Sequence, residues 1–241
     1  MNEALRKKEI LGAGMEILST IEVGEHVIDF GVATTEEERD EIMRQRFRIY
    51  KTEGYYKAGI EKDEDEYDRD ATFFMGRLHD KASGKSLIVG SVRLISGKET
   101  PGFLFSAQKA HEFELPAAVK EIPIIERAEL GRLVAERPQG VFMGRLSISL
   151  GLLHAAIEYS YRKNLRCGVS TIKHRLLGAL EAADIHFHEI PFTRIIYPPD
   201  GIIADYYYTH SDPSVPVYYL RDEVAPAVKR AVNMLNSSKV Q

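Results

Sequence analysis

Four short segments set a charged residue three or four positions from a second residue of defined type, the kind of spacing that can assemble a reactive site. They are Arg46 with Tyr50, Asp65 with Asp68, Arg93 in Gly90-Ser-Val-Arg-Leu, and Glu129 with Arg132. Taken singly, each is compatible with a solvated surface, because charged side chains are mostly exposed. Their combination along one chain favours a shared site.

The chemistry open to these side chains is proton transfer and the binding of charged groups. A carboxylate such as Glu129 can accept a proton from an attacking amine, directly or through water. It could equally be a structural ion-pair partner of Arg132. Asp65 and Asp68 could order a site by pairing with Arg46 and Arg93, or could contact a substrate ammonium. An Arg left free by such pairing could bind a substrate carboxylate through two hydrogen bonds.

The elements that position these residues follow from sequence patterns. Thr35-Glu-Glu-Glu38 is a capping box that starts a helix, and turn formers at 80–85 join two strands, 71–79 and 86–96, into a hairpin. Later segments predict a central strand at 130–135, a helix at 142–161, a strand at 167–172, a helix at 174–183, strands at 186–196, 202–209 and 215–220, and a helix at 224–235. This order predicts an α/β or α+β fold with a mixed sheet flanked by helices.

The N-terminal segment is predicted to stand apart from the domain. Apolar residues at 5–18 follow mixed helical steps, so residues 2–20 are interpreted as an amphipathic helix. We therefore expect a helical extension at 1–25 and a single domain at 26–241.

Composition excludes several classes of function. A net charge of −4 over 241 residues gives no general reason for nucleic-acid binding. The single cysteine, Cys167, suits a reducing compartment, and no run approaches the roughly 18 apolar residues of a membrane span. We expect a cytoplasmic protein, with no membrane association implied. His186 and His188 lack a third convergent ligand, so no metal is expected.

The combined motifs resemble those of the acyl-homoserine lactone synthase and N-acyl amino acid synthase superfamily. The similarity spans residues 44–135, and the predicted strand and helix order agrees to about residue 205. The resemblance implies a GNAT-like fold in which the acyl donor's pantetheine arm enters a gap between splayed central strands, here those at 130–136 and 167–172.

Two departures from the pattern bear on the substrates. Lactone synthases usually carry a Trp after the first motif, whereas this chain has none and shows Gly54-Tyr-Tyr56 there. This favours an amino acid acceptor over S-adenosylmethionine. The coenzyme A motif of GNAT enzymes would fall at 137–142, where Phe142 occupies a position that needs a small residue. An acyl carrier protein is therefore the expected donor, with acyl-phosphopantetheine as substrate and no other cofactor.

The resemblance and the chemistry together assign roles. Glu129 and Arg132 are the candidate catalytic residues, and a backbone N–H near 133–136 could stabilise the oxyanion. The candidate substrate-binding residues are Arg46, Tyr50, Asp65, Asp68 and Arg93, with Phe103, Phe105 and Phe142 expected to line an acyl pocket. A basic group is expected to dock the acidic carrier protein: Arg162, Lys163, Arg166, Lys173 and Arg175.

Three functions fit this sequence. The first is transfer of a long-chain acyl group from an acyl carrier protein to the α-amine of an amino acid. The second is acyl-homoserine lactone synthesis from S-adenosylmethionine. The third is a non-catalytic module that binds acyl groups or carrier proteins, against which the presence of all four charged motifs counts.

Overall fold

The structure is a computed structural model that describes residues 14–23, 26–56, 63–80, 84–137, 143–209 and 211–237. Its strands are β1 (Glu16–Val23), β2 (His26–Val32), β3 (Thr72–Asp80), β4 (Ser86–Ser96), β5 (His111–Glu112), β6 (Arg127–Ala135), β7 (Cys167–Lys173), β8 (His188–Glu189), β9 (Arg194–Ile195) and β10 (Ser214–Leu220). Its α-helices are α1 (Glu36–Thr52), α2 (Ser106–Ala110), α3 (Ala117–Lys120), α4 (Arg145–Arg162), α5 (His174–Glu181), α6 (Ala204–Tyr208) and α7 (Arg221–Ser237).

Eight strands form one mixed sheet in the order β1-β2-β3-β4-β6-β7-β10-β8, and β5 pairs with β9 separately. All neighbours in the large sheet are antiparallel except β6 and β7, which run parallel. The predicted hairpin is present as β3 and β4, and the predicted strand, helix, strand and helix are present as β6, α4, β7 and α5. The α/β fold class predicted from the sequence is confirmed.

Helices cover both faces of the sheet. The larger core lies under α4 and α7, where Phe30, Ile148 and Val228 are fully buried. Helix α4 approaches the sheet closely, since a Cβ on Gly151 would lie 2.3 Å from the Phe30 ring. A second core lies under α1 around Ile42. Among the described residues, none of the helices has the length and apolar character required to cross a bilayer.

Helix α1 begins at the capping box that the sequence predicts. The Thr35 hydroxyl accepts from the Glu38 N–H at 3.2 Å, and the Glu38 carboxylate accepts from the Thr35 N–H at 3.3 Å. Arg46 and Tyr50 lie on the buried face of this helix, one turn apart. A local signal at residues 35–38 thus fixes the orientation of two candidate site residues.

Three sequence predictions are wrong in the described residues. The expected N-terminal helix instead contains β1, which pairs with β2, so the domain begins before residue 26. At the end of β1 the β-branched residues Ile21 and Val23 alternate with Glu22. This strand-like alternation prevails over the helical spacing of the apolar residues. The expected strand at 202–209 contains the short helix α6, and that at 186–196 contains only two-residue strands in different sheets. Residues 1–13 lie outside the described residues.

Candidate functional site

The central strands β6 and β7 separate after three residue pairs. The parallel ladder joins Arg127 to Cys167, Ala128 to Gly168 and Glu129 to Val169, and it stops there although both strands continue. At the branch point the Ser170 hydroxyl donates to the Leu130 carbonyl at 2.6 Å, so a side chain replaces the ladder hydrogen bond. The splayed gap implied by the resemblance is therefore present.

Strand β6 carries a bulge at the same point. Ser91 of β4 pairs with Val134, and Arg93 pairs with Gly131, so Arg132 and Leu133 together lie opposite a single residue of β4. Arg132 has φ 56°, a left-handed conformation that is uncommon for a residue other than glycine. Bulges redirect side chains and interrupt strand pairing. Here the bulge directs Arg132 into the gap.

A pocket of about 310 Å³ fills the gap between β6 and β7. Its walls come from β6, β7, α1, α4 and α5, so it reaches both sides of the sheet. One part is lined by apolar side chains, namely Val92, Leu130, Leu146, Leu153, Ile172, Leu176, Ala179, Leu180 and Phe187. Its rim is charged and includes Arg145, Lys173, Arg175 and Asp212. An elongated apolar substrate with a polar end fits this distribution.

A second, smaller pocket of about 30 Å³ contains Glu129. Its other lining residues are Tyr50, Arg93, Ser106, Gly131, Arg132, Thr171, Ile203, Tyr206 and Tyr207. Five residues line both pockets: Tyr50, Gly131, Arg132, Thr171 and Tyr206. The two cavities are therefore adjacent at the bulge of β6, where the stacked rings of Tyr50 and Tyr206, with centroids 6.1 Å apart, line both.

Three arginines and three aspartates form a closed ring beside the small pocket. Every Arg contacts two Asp and every Asp contacts two Arg. The six contacts are Arg46 to Asp63 at 2.7 Å and to Asp68 at 3.2 Å, Arg93 to Asp65 at 2.6 Å and to Asp68 at 2.8 Å, and Arg132 to Asp63 at 3.4 Å and to Asp65 at 3.1 Å. The predicted pairing of Asp65 and Asp68 with Arg46 and Arg93 is present.

Two carboxyl groups of the ring have lowered pKa values despite their burial. Burial by itself would raise the pKa of Asp65, but the guanidinium groups of Arg93 and Arg132 outweigh burial and lower it to about 2. The pKa of Asp63 is lowered in the same way by Arg132 and Arg46 against burial. Ion pairs in which every charge has a partner avoid the cost of an unpaired buried charge.

Glu129 stands outside the ring. Its carboxylate accepts a hydrogen bond from the Ser106 hydroxyl at 2.5 Å and one from the Ala107 N–H at 2.9 Å. Burial raises the pKa of this carboxyl group, and the nearby Arg93 guanidinium only partly opposes the increase. Arg132 instead pairs with Asp63 and Asp65, so the alternative that Glu129 serves as its ion-pair partner is not supported.

Two of the predicted acyl-pocket residues lie elsewhere. Phe105 is fully buried in the core under α1, and Phe103 packs edge-on against it with the ring centroids 5.1 Å apart. Neither lines the pocket in the gap, whose apolar walls come from β4, β6, β7, α4, α5 and Phe187. Phe142 lies outside the described residues.

The predicted carrier-docking residues divide into two groups. Arg162, Lys163 and Arg166 lie around the C-terminal end of α4 and the start of β7, and Arg162 and Arg166 pair with Glu16 and Glu126. Lys173 and Arg175 lie at the other end of β7, on the rim of the pocket. Seven extended residues separate these ends by roughly 20 Å. The sequence prediction of one basic cluster is therefore wrong, and only the second group borders the gap.

The sequence motifs do not mark several residues that the fold brings to the site: Asp63, Ser106, Thr171, Tyr206 and Tyr207. Asp63 lies two residues before Asp65 in the same acidic segment, but the Asp pair of the motif, Asp65 and Asp68, does not include it. Ser106 has no local signal, because its contact with Glu129 joins residues 23 positions apart. The sequence pattern predicts a strand at Tyr206 and Tyr207, whereas the structure has helix α6 there, and both rings line the small pocket.

No protein-family model matches the chain, and no curated protein matches it in sequence. Solved structures do match its fold. The acyl-homoserine lactone synthase LasI superposes with a TM-score of 0.55 at 13% identity, over 84% of this chain and 94% of that one. FeeM, an N-acyl amino acid synthase from uncultured soil microbes, superposes with a TM-score of 0.51 at 14% identity, over 82% and 94%.

A third similar structure is MesI, a CoA-dependent acyl-homoserine lactone synthase. It superposes with a TM-score of 0.51 at 17% identity, over 82% of this chain and 88% of that one. These neighbours represent both branches that the sequence motifs resemble, and at such identities they establish the fold alone. The chain therefore has the GNAT-like fold of acyl-homoserine lactone and N-acyl amino acid synthases, as the sequence resemblance implies.

Proposed function

We propose that the protein is an N-acyltransferase that moves a long-chain fatty acyl group from an acyl carrier protein thioester to the α-amine of an amino acid. The observation that carries this proposal is the meeting of an apolar pocket with a small pocket containing a buried carboxylate at the bulge of β6. An acyl chain fits the apolar pocket, and an amine fits beside Glu129. The thioester carbonyl would then lie at the junction.

In this proposal Glu129 is the general base. The amine nitrogen forms a bond to the thioester carbonyl carbon and gives its proton to Glu129. The C–S bond then breaks, and the departing sulfur takes up that proton from Glu129, directly or through water, which leaves the free thiol of the donor and returns Glu129 to its ionised form. A carboxyl group with a raised pKa suits this role, because bases work best when their pKa lies near the working pH. A backbone N–H of the bulged segment near 133–136 would stabilise the oxyanion.

Arg93 and Arg132 both line the small pocket, and of the three ring arginines Arg132 also lines the large one, so Arg132 is our candidate to bind the carboxylate of an amino acid acceptor. Arg46 is 1% exposed and lines neither pocket, whereas Arg132 lines both. The Nη1 atom of Arg132 has no hydrogen-bond acceptor among the described residues and lies 3.4 Å from Asp63. The ring would thus hold Arg132 in place while leaving one of its donors for the acceptor.

A carrier protein donor is supported by the charge of the rim. Arg145, Lys173 and Arg175 line the pocket together with Glu53 and Asp212, which pair with Arg145 and Arg175. This surplus of cations over acids would suit an acidic carrier protein that delivers its pantetheine arm to the gap. Among the structural neighbours, MesI is described as CoA-dependent, so coenzyme A thioesters are the competing donor class.

Acyl-homoserine lactone synthesis is the second candidate, because LasI and MesI share the fold. It requires S-adenosylmethionine as acceptor. The absence of Trp and the crowding of the small pocket by Tyr50, Tyr206 and Tyr207 favour an amino acid instead.

Mass spectrometry of lipid extracts tests the proposal. Cells that overproduce the protein should accumulate N-acyl amino acids, and cells that overproduce the Glu129→Gln variant should not. Purified protein is then assayed with acyl carrier protein and coenzyme A thioesters, each offered amino acids or S-adenosylmethionine. Acyl-homoserine lactones would select the second candidate, whereas binding of acyl donor without any product would support a non-catalytic module.

A further inference from the structure

Glu129 is held by a segment that lies far from it in sequence. Helix α2 begins at Ser106, and its first two residues supply the hydroxyl and the N–H that bind the two carboxylate oxygens of Glu129. Ser106 and Glu129 both line the small pocket. Within the described residues, Ser106 provides the side-chain hydrogen bond that Glu129 receives.

Buried contacts fix Ser106 in this position. Phe105 is 0% exposed, and its N–H donates to the Gln108 side chain at 3.1 Å. The Tyr67 hydroxyl donates to the Leu104 carbonyl at 2.8 Å, which ties the start of α2 to the acidic loop at residues 63–70. The aromatic residues expected to bind the acyl chain thus anchor the backbone on which Ser106 lies.

We infer that Ser106 is a positioning residue for acyl transfer, which orients the Glu129 carboxylate toward the amine of the acceptor and stabilises its ionised, proton-accepting form. This inference rests on the proposed function. The hydroxyl bond leaves one lone pair on Oε1 and places Oε2 against the Ala107 N–H, so the carboxylate cannot rotate without losing both bonds. During attack the amine proton passes to Glu129, while Ser106 keeps its own proton.

Several charged or titratable groups face Glu129 from the elements packed around it. They are Arg93 on β4, Arg132 on β6, Asp65 and Tyr67 in the acidic loop, and Tyr207 on α6. Burial raises the pKa of Glu129, and Arg93, Ser106 and the Ala107 N–H oppose the increase. Because a hydrogen bond to an ionised carboxylate favours ionisation, removing the hydroxyl raises that pKa further.

The test compares Ser106→Ala with Ser106→Thr, which restores the hydroxyl, and with Ser160→Ala as a matched control. Ser160 is a buried serine that donates to the Ala156 carbonyl on α4, outside both pockets. We expect the acid limb of the kcat/KM profile to move upward by roughly one pH unit in Ser106→Ala. Ser106→Thr should restore it, and Ser160→Ala should match the wild type.

A second measurement is independent of turnover. The protein is produced with glutamate labelled with ¹³C at the side-chain carboxyl, and its carboxyl resonances are followed by NMR as the pH is changed. The Glu129 resonance is the one that is absent in the Glu129→Gln variant. The Glu129 midpoint should rise in Ser106→Ala. An unchanged midpoint in a folded Ser106→Ala protein would overturn the inference, whereas a wild-type protein that turns over no acyl donor would overturn the proposed function.

Discussion

The ring of three arginines and three aspartates lies in the same region of the protein as Glu129, but carboxyl pKa values shift in opposite directions at the two places. Asp65 and Glu129 both lie near Arg93, yet the pKa of Asp65 is lowered to about 2 and that of Glu129 is raised. The difference is the number of charged partners, since Asp65 contacts two guanidinium groups and Glu129 receives hydrogen bonds from a neutral hydroxyl and an amide. A carboxylate that is paired with two arginines, such as Asp65, therefore has a structural role. Glu129 has less opposing charge around it and remains able to accept a proton.

Glu129→Gln tests the reactive half of this comparison and should have the largest effect. Gln keeps the shape and can still accept one hydrogen bond, but it cannot take a proton. We expect kcat/KM to fall by about 10²- to 10⁴-fold, in the range typical of general bases, with the thermal midpoint little changed. Steady-state kinetics and a melting curve measure both.

Glu158→Gln is the matched control for that variant. Glu158 lies on α4 and lines neither pocket. The same change there should leave kcat/KM at the wild-type value. A Glu129→Gln protein that retains full activity would remove Glu129 from the mechanism.

Arg46→Met tests the scaffold half. It removes the partner shared by Asp63 and Asp68 and leaves two buried carboxylates undercompensated. Breaking a buried ion pair in this way costs about 3 to 5 kcal/mol of unfolding free energy. Chemical denaturation measures the loss.

Arg48→Met supplies the comparison for the scaffold, two residues along the same helix. Arg48 pairs with Glu136 at 2.6 Å, but its side chain is 58% exposed. An exposed pair contributes about 0 to 1 kcal/mol. Equal losses in the two variants would contradict the view that burial makes the ring structural.

The sequence predicts which charged residues lie in the two regions. It does not predict which of them form structural ion pairs and which is the candidate base. The motifs brought Arg46, Asp65 and Arg93 together because their spacing reflects a shared site. They could not separate Glu129 from Arg132, since a spacing of three residues suits an ion pair as well as a bulge that sends the two apart. Only the strand register at residues 91–93 decides between these.

Other parts of the site depended on contacts that local patterns do not encode. The gap between β6 and β7 was expected from the resemblance, but its walls were not, because Leu153 and Leu180 look like ordinary core residues of two helices. Helix α6 is rich in Tyr, which favours strands in isolation, and the helical conformation is selected by packing around the pocket. Tertiary contacts prevail over propensity here.

His111 extends the comparison to a buried group without a charged partner. It is 1% exposed, burial lowers its pKa to about 4, and the Ala107 carbonyl opposes this only partly. In the unfolded chain the pKa of His111 is near 6.5. The contribution of neutral His111 to the free energy of unfolding is therefore complete above that pH, and it decreases by about 3 kcal/mol as the pH falls toward 4. His111→Phe should reduce this slope in urea unfolding measured at pH 7, 5.5 and 4.5. An unchanged slope would mean that His111 has partners that compensate its charge.

Asp65→Asn should show the smallest effect, and it tests the lowered pKa of a ring carboxylate. Because the pKa of Asp65 is lowered in the folded protein, its contribution is complete above about pH 4 and is lost as the pH falls toward 2. The shift corresponds to about 2 kcal/mol at neutral pH. The difference in unfolding free energy between wild type and variant should therefore shrink between pH 4 and pH 2. Asp70→Asn, which removes an exposed partner of Lys98, should give little difference at any pH, so a similar pH-dependent difference in both variants would refute the assignment of Asp65 to the ring of buried and half-buried ion pairs.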